Sequence, residues 1–191
     1  MLKYAIAGGL MAALVAGAAS ANEFEAELKQ LAATTIAEIA NDPAIIEAIK
    51  AQNVETASYD QAKIDELDQT WRAETEEIDQ PMIDAVLERP ASLMLADVRE
   101  SSDGMFTEIF VMDAKGLNVA QSDPTSDYWQ GDEAKWQDTF GVSADAIHLS
   151  EIEEDESTQT FQSQVSLSIA DPDNGAVIGA ITVGVNVELI E

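Results

Sequence analysis

The chain has 191 residues, with 37 acidic against nine basic side chains, a formal charge of −28 and no cysteine. Such a charge repels nucleic acid and anionic membrane surfaces. The missing cysteine excludes disulfides, thiol catalysis, Cys–zinc sites and lipid attachment through a cysteine.

At the N-terminus Lys3 precedes an apolar, small-residue stretch from Tyr4 to Gly17, followed by Ala19-Ser20-Ala21. That order is the pattern of a secretory signal with a small-x-small cleavage site. The stretch is short for a bilayer span, which needs about 20 residues. Residues 1–21 are therefore expected to be a cleaved signal peptide. Residues 22–191 are expected to form one domain, periplasmic or secreted, with no membrane span after cleavage. The signal holds no acid, so the acidity belongs to the mature part, where it reads as an adaptation for solubility.

Leu28, Leu31, Ile36 and Ile39 predict a long helix from about residue 23 to 40. Asn41-Asp42-Pro43 closes it and opens the next, with Asp42 as cap and Pro43 at the first helical position. Ser58 and Gln61 read as a capping box for a third helix, on which Ile64, Leu67, Trp71 and Ile78 step by threes and fours. Pro81 and Pro90 start two shorter helical pieces, the second ending near Arg99. Ser101-Ser102-Asp103-Gly104 turns the chain into its first strand.

From Met105 the period changes. Ile109 to Met112 is a continuous apolar run, as expected of a central strand covered on both faces. An Asp113-Ala-Lys-Gly116 turn leads to a second strand reading LNVAQS. A loop with Tyr128 and Trp129 and a short amphipathic piece with Trp136 follow. Ala146 to Ile152 can supply a further strand. Phe161 to Ile169 alternates, with Gln162, Gln164, Ser166 and Ser168 on one side, and the last strand runs from Gly175 to Val187. The expected fold is α+β: a helical part (22–100) and a sheet part (101–191), with about five antiparallel strands and the long N-terminal helix packed against them.

The order of strand, hairpin, strand, aromatic loop and helix in residues 109–136 resembles the start of a PAS-like sensor module. Together with the long opening helix, the Asp42-Pro-Ala-Ile-Ile46 segment, the Trp71 helix and the closing GAVIGAITVGVNV strand, it is similar to the extracytoplasmic Cache sensor domains of bacterial receptors. The resemblance implies a single-Cache, PAS-like domain holding a small ligand between the sheet and its loop-helix layer. That role falls on Ser126, Asp127, Tyr128, Trp129 and Trp136. In the family the last strand runs on into a membrane helix and a cytoplasmic output; here the sequence given ends at Glu191, with no transmitter. A membrane receptor partner, or action as a soluble binding protein, is then expected. A homodimer through the long helix is implied as well.

Each candidate has a second reading. Tyr128 and Trp129 either line a pocket, as aromatics with a polar tip do, or plug one end of the sheet. Trp136, with Phe140 four residues on, and Trp71 fit core positions. The polar stripe of Gln162 to Ser168 reads as a solvated face, or, since loops roof one sheet face in a PAS-like fold, as neutral donors for a small solute. A carboxylate ligand would have to use Arg99, Arg72, Arg89 or backbone N–H groups, and Arg99 lies just before the first strand. A neutral or cationic ligand fits the composition better, with Asp127 and Asp132 beside the aromatics able to hold an amine. Asp171 to Gly175 and Glu151 to Glu156 lack the spacing of an EF-hand and read as a turn and an acidic loop.

His148 is the single histidine, and no nucleophile elbow or phosphate-cradling glycine loop is present. No catalysis, metal or cofactor is expected. The function expected is small-molecule binding of the sensor type. The alternative is a structural or interaction module of the same fold without a ligand site.

Overall fold

The computed structural model describes residues 22–155 and 159–190; the segment read as a secretory signal lies outside them. Helix α1 (Glu25–Leu31) continues through a π-helical stretch (Ala32–Ile36) into α2 (Ala37–Ala40). Leu28, Ala32, Ile36 and Ala40 are all buried, at four-residue spacing. That spacing drifts by about 40° per step on a regular helix. The wider π turns absorb the drift and hold these side chains on one face. Leu31 is only half-buried as a result.

Helix α3 (Pro43–Thr56) begins as its sequence predicts: Asp42 Oδ1 accepts from the Ala44 amide at 2.8 Å. Helix α4 (Gln61–Glu74) is capped by Asp60, not Ser58, through a 3.0 Å bond from the Lys63 amide. Ile64 and Trp71 are buried, but Ile78 is fully exposed because the helix stops at Glu74. The Glu74 carboxylate turns away to accept from the amides of Met82 and Ile83, which open α5 (Pro81–Leu87). Helix α6 (Pro90–Glu100) completes the helical part.

The sheet has six strands, in line with the expected five or so: β1 (Phe106–Met112), β2 (Asn118–Gln121), β3 (Ile147–Leu149), β4 (Glu153–Asp155), β5 (Thr160–Ala170) and β6 (Val177–Asn186). The order is β2-β1-β6-β5-β3, with every pair antiparallel, and β4 pairs with the start of β5 beyond β3. Strand β4 is part of the acidic stretch read as a loop. The architecture is α+β and PAS-like.

Side chains alternate between the two faces of the sheet. Ile181, Val183 and Val185 of β6 face the helices with Ile109, Val111, Val165, Leu167 and Ile169. Leu28, Ile36, Ile45, Ile49 and Leu95 meet them from α1, the π stretch, α3 and α6. A second cluster joins Ile64, Trp71, Ile83, Val86, Leu117 and Tyr128, sewing α4 and α5 to the β1–β2 hairpin. The opposite sheet face carries Phe110, Met112 and Ala180 under Trp136.

Gly116 and Gly179 lie closer to backbone atoms than a Cβ allows. Gly116 has φ +80° in the hairpin, and a Cβ there would lie 2.6 Å from the Gly131 backbone. A Cβ on Gly179 would stand 2.3 Å from the Met112 carbonyl oxygen and press on the Ile49 side chain. The turn Asp171 to Gly175 is closed by Lys50, whose Nζ lies 2.6 Å from Asp171 and 3.1 Å from Asp173. Gly179→Ala must push β6 from β1 or shift α3, and is expected to cost about 1–3 kcal/mol. A urea midpoint equal to wild type would contradict this reading of the close approach.

Candidate functional site

The polar stripe of β5 does not face bulk solvent. Ser166 is fully buried against Thr182 of β6, their hydroxyls 2.9 Å apart. Gln162 and Gln164 are half-buried beside Glu108 and Phe110 of β1. Above them the β2-to-α7 connection folds back over the sheet before α7 (Ala134–Gln137). Between sheet and connection lies a cavity of about 560 Å³, bounded by the end of α6 at Arg99 and by Thr125, Ser126, Asp127, Gln130 and Lys135. A second hollow of about 270 Å³ shares Lys135, Gln162 and Gln164 and runs on to His148 and Glu153.

The outward face of the central strand β6 carries small side chains. Ala180, Thr182 and Gly184 alternate along the outward face of β6. At Gly184 a Cβ would collide with Thr107 Oγ1 and Gln162 Oε1, which bond to each other across the strand. Gln164 Nε2 donates to Glu108 Oε1 at 2.8 Å, so the floor is an ordered polar lattice.

The charged groups are largely matched in pairs. Arg99 Nε lies 2.9 Å from Asp123 Oδ2, without the alignment of a hydrogen bond, so that contact is one of charge. Lys135 Nζ sits 2.9 Å from Glu133 and 5.4 Å from the centre of the Phe110 ring. Asp127 meets Arg72 at 3.1 Å and Gln130 through its other oxygen. Burial raises the Asp127 pKa above its ordinary 3.8, and Glu133 adds to the rise against the pull of Arg72.

Of the residues singled out from the sequence, Arg99, Ser126 and Asp127 come together around this cavity. Tyr128 and Trp129 turn the other way. Residues 128–130 double back along the free edge of β2: the Asn118 amide donates to the Tyr128 carbonyl, the Gln130 amide to that of Gly116, and Leu117 bridges Trp129. Covering an edge in this way removes a row of unpaired backbone groups from solvent. It also sends the Tyr128 ring down onto Trp71, stacked at 5.3 Å. Burial there pushes the Tyr128 phenol up to about 12.

Trp129 Nε1 donates to the Lys115 carbonyl at 2.8 Å, fixing the hairpin. Trp136 donates to the Asp113 carbonyl at 3.1 Å and stacks on Phe140, as roof rather than cavity lining. Asp132 is exposed and borders neither hollow. The arrangement of Asp132 and two aromatic walls around an amine is therefore not assembled here.

Sequence reasoning passed over Asp68, which is nearly buried on α4. Its Oδ1 accepts from the amides of Tyr128 and Trp129 at 2.9 and 3.0 Å, and its Oδ2 from Arg72 at 2.7 Å. Asp68 therefore anchors the connection that roofs the cavity. It also missed Gln130, Lys135 and Glu108. No local signal in the sequence marks the cavity, whose lining comes from the end of α6, β1, β5 and the β2-to-α7 connection.

Neither a family model nor a curated relative matches this sequence. Solved structures do resemble it. One is the sensor domain of the V. cholerae histidine kinase DctB, at 12% identity and TM-score 0.46, with 88% of this chain and 56% of that domain covered. The ligand-binding domain of the Campylobacter jejuni chemoreceptor Tlp3, solved with 4-methylisoleucine, gives 12% and 0.40 over 86% of this chain and 60% of that one. That of the Pseudomonas aeruginosa PAO1 chemoreceptor PctC, solved with GABA, gives 16% and 0.37 over 86% and 61%. This chain thus spans 56% to 61% of the length of these three domains.

Asp68→Ala leaves two amides without their acceptor and is expected to cost about 2–4 kcal/mol. Amide exchange should quicken at residues 128–129 before the rest of the sheet; uniform protection there would remove Asp68 from this role. Asp127 gives a pH signature. Its folded pKa lies above the unfolded one, so the native state holds the proton more tightly. Its contribution to stability must then fall as pH rises from 3.8 through the folded value. Subtracting an Asp127→Asn denaturation series from wild type isolates this slope, and a difference that grows with pH would contradict it.

Proposed function

We propose that this protein is a small-molecule-binding domain of the sensor type, working in the periplasm or secreted. Its ligand would sit in the cavity over the outer face of β1, β6 and β5. The observation that carries this reading is the roofed hollow itself. Its volume lies within the range of small-ligand sites, and amides, hydroxyls and paired charges line it rather than packed apolar side chains.

Ligand charge follows from the pairing. Arg99, Lys135 and Asp127 each have an opposite charge beside them. A neutral polar solute can bond to Gln130, Gln162, Gln164 and Ser126 without breaking an ion pair. A cation would find Glu108, Asp123 and Asp127 outnumbering Arg99 and Lys135, whereas an anion would have to displace Asp123 or Glu133. An uncharged or cationic polar solute is therefore the ligand class.

The outer surface of the opening helix carries Glu25, Glu27, Lys29, Gln30, Thr34 and Glu38, all exposed, and offers no apolar patch for a purely structural role. Among the described residues no helix is long and apolar enough to cross a membrane. The bound state would be passed to a membrane receptor partner or would simply carry the solute.

A thermal-shift screen against polyols, nucleobases, amines, amino acids and carboxylates tests this. A ligand at a hundred times its dissociation constant adds about 2.7 kcal/mol of stability. That shift is expected to vanish in Gln164→Leu and to weaken in Ser126→Ala, with Tyr128 and Trp129 intact. A shift insensitive to both changes would place the ligand elsewhere, and no shift from any class would sink the proposal.

A further inference from the structure

In a chain with 37 acids, an arginine without a carboxylate beside it is unexpected. Arg72 and Arg99 each lie within 3 Å of an aspartate. Arg89 has no acidic side chain within 4.0 Å among the described residues. It is half-buried, and its Nη1 donates at 2.7 Å to each of two neutral acceptors, Gln52 Oε1 and the Val119 carbonyl. Gln52 is itself fixed, its Nε2 donating to buried Asp113 Oδ2 at 3.2 Å. The Tyr128 phenol also bonds to Arg89, so the guanidinium is held by uncharged partners, with no carboxylate in direct contact.

Arg89 stands where two hollows meet. A groove of about 510 Å³ lies between α3, the start of α6 and β2, and a pocket of about 180 Å³ lies between α3, α4 and α5. They share Gln52, Glu55 and Arg89, and neither shares a lining residue with the cavity on the outer sheet face. Arg89 is also the N-cap residue of α6, an eleven-residue helix with no side-chain cap. The Pro90–Ala91 end, which lines the groove, therefore presents uncapped first-turn N–H groups and the positive end of the helix dipole. The rest of the wall is chiefly alanine, with exposed Glu47 and Glu55 at its rim.

We propose that this groove is a second binding site, specific for a small carboxylic acid whose carboxylate lies against the Arg89 guanidinium at the start of α6. A planar guanidinium matches a carboxylate in shape as well as charge. The alanine wall leaves space for a short chain only. Glu47 and Glu55 exclude a second negative charge and could receive an amine if the acid carries one. The site is independent of the ligand proposed for the outer cavity.

Binding is measured calorimetrically on the wild-type protein with sodium acetate, propionate, glycine and alanine, against sodium chloride at equal ionic strength. Saturable binding is expected for at least one acid and not for chloride. Arg89→Gln retains an amide donor for Val119 and should weaken that binding at least tenfold. Ala51→Phe, an exposed position in the groove wall, should do the same without touching Arg89, and it decides the matter if Arg89→Gln does not fold. Gln164→Leu, in the outer cavity, should leave the affinity unchanged. Monocarboxylates alone binding would define the ligand as a simple acid. Amino acids alone, with affinity lost in Glu55→Gln, would define it as an acid with an amine. No binding by wild type overturns the proposal. So does binding that survives Ala51→Phe or is abolished by Gln164→Leu.

Discussion

The carboxylate of Asp113 is the point on which the other parts of this structure depend. It is fully buried at the end of β1, and four donors converge on it. Oδ1 accepts from the amides of Lys115 and Leu117, which closes the β1–β2 hairpin. Oδ2 accepts from Gln52 Nε2 and Thr56 Oγ1, which ties the hairpin to α3. The carbonyl of the same residue accepts from Trp136 at the roof of the outer cavity. A buried charge is tolerated only when its acceptor capacity is filled, and here two donors come from the hairpin and two from α3. Sheet, helices and roof therefore have one mutual arrangement that satisfies it.

Much of this was readable in the chain. The Asp113-Ala-Lys-Gly116 turn, the Asp42-Pro43 helix start, the prolines opening α5 and α6 and the side-chain alternation of β5 are local signals, and local chemistry decides them. The α+β class followed from their order. The role of Asp113 as a turn cap was legible for Oδ1, which bonds two and four residues ahead. Its second oxygen bonds residues 57 and 61 positions away, and no spacing rule reaches that far.

The same distinction explains the site. Alternation told that Gln162, Gln164, Ser166 and Ser168 share a side of β5, but not what covers that side. Cover comes from a connection whose path is set by Asp68, some 60 positions earlier, pulling the amides of Tyr128 and Trp129 toward α4. Once those residues line the edge of β2, their rings must point into the helical layer, and Ser126 and Asp127 are left over the sheet. Aromatic residues in a polar loop looked like pocket walls; in three dimensions they are what holds the pocket's lid in place. The capping box failed for a simpler reason. Asp60 stands at the correct distance from the first helical residues, and its carboxylate is at least as good a cap as the serine two positions earlier.

Gln52 completes the argument. Its oxygen holds Arg89, its nitrogen holds Asp113, and the carbonyl of Asp113 holds Trp136, the residue after Lys135 in the outer cavity. One amide thus stands between the helical groove and the roof of the sheet. An amide in this position has no freedom to flip, since reversing it would set an NH2 against a guanidinium and a carbonyl against a carboxylate. The chain of bonds is therefore directional and fixed at both ends by charge. Moving the roof means either breaking the Trp136 bond or carrying the hairpin with it, and carrying the hairpin strains Gln52 against Arg89. The two hollows lie on separate faces of the domain, but a single line of hydrogen bonds sets the walls of both.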